Sequence, residues 1–277
     1  MADPGAGGPD ATRPAGHRLF AQYAHAPNAL GYCGPAGSAA LVAAATGSPP
    51  VAAVTEIAEV ARRFSGAWPY QRLLGELLGI DDPLDPRVVR GYWTGNDLAA
   101  AVDGRAFGER LLAELKPQAA HYWAHLTEDL LVEAAPSHAF HVLAVYPWSR
   151  LLGHGPEPLG VLESCRVGWA VVEEVRPDEL VVRGPRLGYL PASGGAGGPA
   201  VPARLELGPD EVRTIGYRVD GRPFVPDPAV GEHVAVHWDF ACDRLGEADV
   251  AALVAQTEHQ LAAMAPRIAG ATGVRSG

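Results

Sequence analysis

The sequence predicts an α+β protein: an N-terminal α-rich domain, then a small OB-like β-barrel with a C-terminal helix. Three observations predict it. Apolar residues recur at helical spacing up to about Pro136. Beyond residue 160, short β-branched runs alternate with turn signals. After Gly246 the helical period returns and runs nearly to the end of the chain.

The elements are taken in chain order. Residues 1–16, MADPGAGGPDATRPAG, are small and rich in Pro and Gly and carry no apolar core of a signal peptide; they read as a disordered tail. In HRLFAQYAHAPNAL, Leu19, Phe20, Tyr23 and Ala24 share a helical stripe that Pro27 is expected to end. GYCGPAGSAALVAAATG is a turn followed by an Ala-rich helix stopping at Gly47. Val51, Val54, Ile57, Ala58 and Ala61 mark the next helix, and YQRLLGELLGI and PRVVRGYWTGNDLAAAV continue the pattern across the turn DDPLDP. GERLLAELKPQAAHYWAHLTEDLLVEAAP holds one or two more helices, with Pro117 near a break. FHVLAVYPW, bounded by Pro136 and Pro147, is a buried strand or a helix segment. The α-rich domain thus spans 17–155 and GHGPEPLG is a linker. Over 160–264, GWAVVEEV, LVVRG, ARLELG, EVRTIGYRV and EHVAVHW are five strands, enough for a small barrel. PASGGAGGPA is a flexible insertion by composition. Val250, Leu253, Val254, Leu261 and Met264 line one face of the closing helix, with Glu247 and Asp249 in its first turn, where the helix dipole favours acids.

Bulk properties exclude several classes. A chain of 277 residues buries enough surface to fold without disulfides. A net charge of −10 repels phosphate backbones, so nucleic acid is not an expected partner. No run of about 18 apolar residues suggests a membrane span. Three cysteines without an export signal read as reduced thiols in the cytoplasm. No P-loop and no GxGxxG followed by a suitable acid supports a nucleotide cofactor.

The segment CRVGWAVVEEVRPDELVVRG, a β-rich middle, and VGEHVAVHWDFACDRLGEADVAALVAQTEHQL together resemble the HypC/HupF hydrogenase formation chaperones over residues 160–264. Cys165 falls where that family has its functional cysteine, Gly231 through His237 fall on the closing strand, and Phe240, Ala241, Arg244 and Leu245 match the family's residues after that strand. This chain departs from the pattern. Cys165 is internal rather than next to an initiator Met, Trp169-Ala170 replaces a Pro-Gly, Asp239 stands where Gly is usual, and Cys242 adds a thiol. The resemblance implies an accessory role in nickel–iron hydrogenase maturation, with a hydrogenase large subunit or another maturation protein as partner and a transient iron centre as cargo. Cys165 would be the ligand or docking thiol and His237 its imidazole neighbour. A soft thiolate suits low-spin iron, and imidazole is an acceptable companion. Alternation places His233, Ala235 and His237 on one, less buried face, with Val234 and Val236 turned to the core. The whole chain is also similar to an uncharacterised actinobacterial family carrying GYCGP-, FHVLAVYPW- and HWDFACDRL-like segments.

A second constellation lies in the α-rich part. Cys33 precedes Gly-Pro at a helix start, an arrangement used by papain-like and bacteriocin-processing cysteine peptidases. Pro35 suits the first helical position and the helix N-terminus favours thiolate. SHAFHVLAVY resembles the matching histidine strand, with His141 as base, although no Asn or Asp stands soon after it; Glu157 and Glu163 are the nearest acids. The alternatives are an amide hydrolase or acyltransferase using Cys33 and His141, metal ligation by Cys33 with His138 or His141, and a scaffold whose thiols are core. Cys242 beside Ala241 reads as core, and His121 and His125, four apart, as surface histidines without a third ligand.

Overall fold

The computed structural model describes residues 9–37, 39–47, 51–116, 126–194 and 199–271. Helices α1 (Pro9–Ala29), α2 (Ala39–Thr46), α3 (Val51–Ala61), α4 (Trp68–Leu78), α5 (Pro86–Trp93), α6 (Asp97–Ala100) and α7 (Gly104–Leu115) build the first layer. Next come a 3-10 turn (Glu128–Val132), α8 (His138–Phe140), a π-helical turn (His141–Val145), a second 3-10 turn (Pro147–Leu151) and α9 (Glu157–Cys165). Strands β1 (Gly168–Val175), β2 (Glu179–Leu190), β3 (Arg204–Gly216), β4 (Arg218–Val219), β5 (Arg222–Pro223), β6 (His233–Val236) and β7 (Ala241–Leu245) precede α10 (Glu247–Ala271).

Local chemistry sets many of these boundaries. Asp85, Asn96, Asp103 and Ser137 each accept a backbone N–H in the first turn of α5, α6, α7 and α8, satisfying donors that a helix leaves unpaired. Pro86 opens α5, where a missing N–H costs nothing. α4 ends on Gly79 in the left-handed region at φ 68°.

Two expectations are revised at the N-terminus and in the His segment. α1 begins at Pro9 and runs through Pro27 to Ala29, so much of the expected tail is helix. SHAFHVLAVY is helical, not a strand: Val142, Leu143, Ala144 and Val145 are all buried, and a run buried on every side has no period to tell helix from strand. The glycine-rich 191–200 stretch lies partly outside the described residues, as do His121 and His125.

The mixed helix-and-sheet class is observed, but the sheet is open rather than an OB-like barrel. Five antiparallel strands lie in the order β3-β2-β1-β6-β7, with β4-β5 a separate pair. A barrel needs its edge strands paired along their length. Here β3 and β7 are linked through one bridge, Gly216 to Phe240, and one bond from Gly216 N–H to the Asp239 carbonyl at 3.0 Å. α1 lies against β7 instead, where Tyr23 Oη reaches Asp243 Oδ2 at 3.3 Å, and Gln22 Nε2 donates at 2.9 Å to the carbonyl of Phe224, just after β5.

The hydrophobic core does not stop at residue 155. Phe20, Tyr23, Phe64 and Tyr92 from the helical layer pack in one cluster with Ala235, Cys242 and Leu245 of the sheet and Leu253 of α10. A second cluster fills the sheet face around Val172, Val182, Ile215 and Val234, and a third seats Met264 and Ile268 of α10 on Leu187 and Leu205. Among the described residues no helix is long and apolar enough to cross a membrane.

Candidate metal centre

Three chain segments converge where the helices meet the sheet. His138 opens α8, Cys165 ends α9, and His237 begins the turn between β6 and β7. One nitrogen of each imidazole and the Cys165 sulfur lie within 4.8 Å of one another. Both imidazoles are buried.

The β6–β7 turn explains why His237 sits there. Trp238 and Asp239 both adopt left-handed backbone, at φ 55° and 52°. His237 and Phe240 exchange backbone hydrogen bonds of 3.0 and 3.2 Å around them. Two-residue hairpins of this hand favour Asn-Gly, and a Trp there is strained by about 1–2 kcal/mol. The surroundings hold it: the Trp238 backbone N–H donates to the Ser164 carbonyl at 2.8 Å, next to Cys165, and the indole stacks on Tyr32 at 4.0 Å between centroids. The strain thus ties His237 to the Cys165 end of α9.

The protonation of His237 is set from α1. Its Nδ1 lies 2.8 Å from the Tyr23 carbonyl, which can only accept, so Nδ1 carries the proton. Nε2 is left with its lone pair, buried and met by no hydrogen-bond donor among the described residues. Burial lowers this imidazole to about 4, the backbone of Tyr23 and then of Cys165 pulling the other way, so it is neutral.

His138 has two tautomers in its frame. Protonated on Nε2, it donates to the Cys165 carbonyl at 2.8 Å. Protonated on Nδ1, it donates to Tyr92 Oη at 3.0 Å, and that phenol donates onward to the Gly66 carbonyl at 2.7 Å. The second tautomer frees Nε2 toward Cys165. Burial, then the nearby His237 and His141, hold His138 well below the usual range. Burial pushes the Cys165 thiol up to about 12, with Cys33 adding to the rise and the Trp238 indole drawing it partly back. Neutral imidazole lone pairs beside a thiol are the donor set of a soft or borderline transition metal, with outer partners already fixing the ring orientations.

The second sequence-derived pair lies next door. Cys33 sits in the loop after α1, where buried Asn28 donates to the carbonyls of Cys33 and Pro35 at 2.9 and 2.6 Å. Gly34 stands at φ 78°, and a Cβ there would lie 2.4 Å from the Phe64 ring, so only glycine fits. Among the described residues the expected helix start at Pro35 is absent: α2 begins at Ala39. His141 opens the π turn, a helical irregularity common at functional sites. Its Nδ1 meets Tyr70 Oη at 3.2 Å, so a phenol rather than an acid orients the ring. Glu163 is committed to Arg166 at 2.8 Å. Cys33 and His141 line one open cleft of about 450 Å³. Their electrostatics oppose a thiolate–imidazolium pair: burial raises Cys33 to about 11 and lowers His141 to about 4.

The other residues singled out from sequence fall elsewhere. His237 is buried rather than on an exposed strand face, and His233 is half-exposed on β6. Cys242 is fully buried in the core. Sequence reasoning does not find Asn28, Tyr70, Tyr92 or the pairing of His138 with Cys165 and His237. Asn28 after Pro27 before a glycine-rich loop is the only local cue.

No curated protein and no solved structure matches the chain. Residues 12–271 match the model of a Family of unknown function (DUF6390), which covers the helical layer and the sheet alike. The chain therefore belongs to DUF6390, a family of unknown function.

Proposed function

We propose that this protein is an accessory factor that holds one transition-metal ion, iron first, between His138, Cys165 and His237 and hands it on during metalloenzyme assembly. The observation that carries the reading is the His237 lone pair. A buried nitrogen whose proton is fixed on the far side of the ring is costly unless something electrophilic meets it. Cys165 Sγ and a nitrogen of His138 lie within reach of the same point. Nickel–iron hydrogenase maturation is the process we favour, supported by the resemblance of residues 160–264. A hydrogenase large subunit is the partner and an iron group the cargo in that reading. With an ion bound, the site would supply a thiolate and two neutral imidazoles. Tyr92 and the Tyr23 carbonyl keep both rings turned inward.

The test is anaerobic titration of the purified chain with Fe(II), Zn(II) and Co(II) after chelation. One metal per chain is expected, lost in Cys165→Ser and His237→Gln and kept in Cys242→Ser. An unmodified chain that binds none, or a Cys165→Ser variant that binds as well, refutes the site. Co-purification of a hydrogenase large subunit, abolished by Cys165→Ala, tests the process separately.

A further inference from the structure

We infer that Cys33 and His141 form an outer ligand pair through which a soft or borderline metal ion reaches the inner His138–Cys165–His237 site. The inference rests on the metal reading above and adds the route. Two cavities meet here. The open cleft touches Cys33 and His141 but none of the three inner donors. A narrow internal cavity of about 20 Å³ touches all five. Among the described residues, Cys33 and His141 are thus the only thiol and imidazole that face both spaces.

Gly66 lines both spaces and has no side chain to crowd the two donors. A Cβ on Gly66 would stand 2.8 Å from His141 Nε2 and 3.7 Å from Cys33 Sγ, so it would press on both donors where the two spaces share them. Backbone N–H groups of Gly66 and Gly34 are directed at the Cys33 sulfur, a polar setting for a thiolate when an ion arrives. The stacked pair Tyr32 and Trp238 also lines the internal cavity, Tyr32 reaching the cleft as well.

The cleft also says what kind of ion enters. Among its described lining residues there is no Asp, Glu, Lys or Arg. Hard cations such as Mg(II) or Ca(II) need oxygen ligands and find no carboxylate here. Fe(II), Co(II) and Zn(II) take thiolate and imidazole readily. Transfer inward is then ligand exchange without redox change. The bonds to Cys33 and His141 break as bonds to Cys165, His138 and His237 form. Cys165 gives up its thiol proton as Cys33 regains one.

The test is stopped-flow uptake of Co(II) alone by the anaerobic, metal-free full chain. Cys33→Ser and Gly66→Ala should still bind one Co(II) per chain with near-unchanged affinity, but about tenfold or more slowly. Cys33→Ser loading at the normal rate overturns the route. So does Cys33→Ser losing the bound ion, which would make Cys33 a resident ligand. If the unmodified chain takes up no Co(II), the metal reading itself fails and the route falls with it. Should Gly66→Ala misfold by circular dichroism, Cys33→Ser carries the comparison.

Discussion

Acidifying the metal-free protein from pH 7.5 to 5 should remove about 4 kcal/mol of stability through His141 and His237, and His138, held low by burial and its two imidazole neighbours, adds to the loss. His141 and His237 are buried and lowered from 6.5 to about 4, in both cases chiefly because burial disfavours the charged ring. A base depressed in the folded state costs nothing above 6.5. As pH falls below that value the unfolded chain takes up protons that the folded chain refuses, and the cost grows until the folded imidazole itself titrates near 4. At pH 5 each ring contributes about 2 kcal/mol of lost stability. Against a typical total of about 5–15 kcal/mol this is a large fraction, and it corresponds to a melting-temperature drop of roughly 8–15 °C. Asp243, raised by burial, works in the opposite sense. The assay is urea denaturation with chelator present at pH 7.5, 6.5, 5.5 and 5. His237→Gln should remove about 2 kcal/mol of this loss. Equal midpoints at pH 7.5 and 5, or a His237→Gln profile as steep as the unmodified one, would refute the reasoning.

Two further outcomes concern the loops that carry the donors. Asn28→Ala removes two buried hydrogen bonds to the Cys33 loop and should cost about 1–3 kcal/mol while speeding maleimide labelling of Cys33; denaturation and labelling rates check both, and unchanged labelling would show that Asn28 does not hold the thiol in place. Asp239→Gly relieves left-handed backbone at φ 52° and should stabilise by up to about 1 kcal/mol; a loss of stability in urea denaturation would mean that the aspartate side chain matters more than its backbone.

How far the sequence is legible depends on how local the cause is. The closing helix, the Asp- and Asn-capped helices and most strands arise from period and capping chemistry. The openness of the sheet does not: it depends on α1, more than 200 positions away, lying against β7 through Tyr23. The adjacency of Cys165 and His237 is expected from resemblance and is present in the structure. Its geometry is not expected, because alternation predicts an exposed strand face and His237 instead begins a strained turn. From sequence, His138 is a candidate only as a companion of Cys33. Its place beside Cys165 comes from the ends of α8 and α9 meeting, which no spacing in a 27-residue interval announces.

The position of Tyr23 has a consequence for biosynthesis. Its carbonyl, in the first helix, fixes the proton on an imidazole more than 200 residues downstream. A nascent chain emerging from the ribosome therefore cannot assemble the three donors in working order until the β6–β7 hairpin has been made and has docked on a helix completed long before. On the proposed reading, an ion held by His138, Cys165 and His237 marks a chain whose synthesis and folding have both finished.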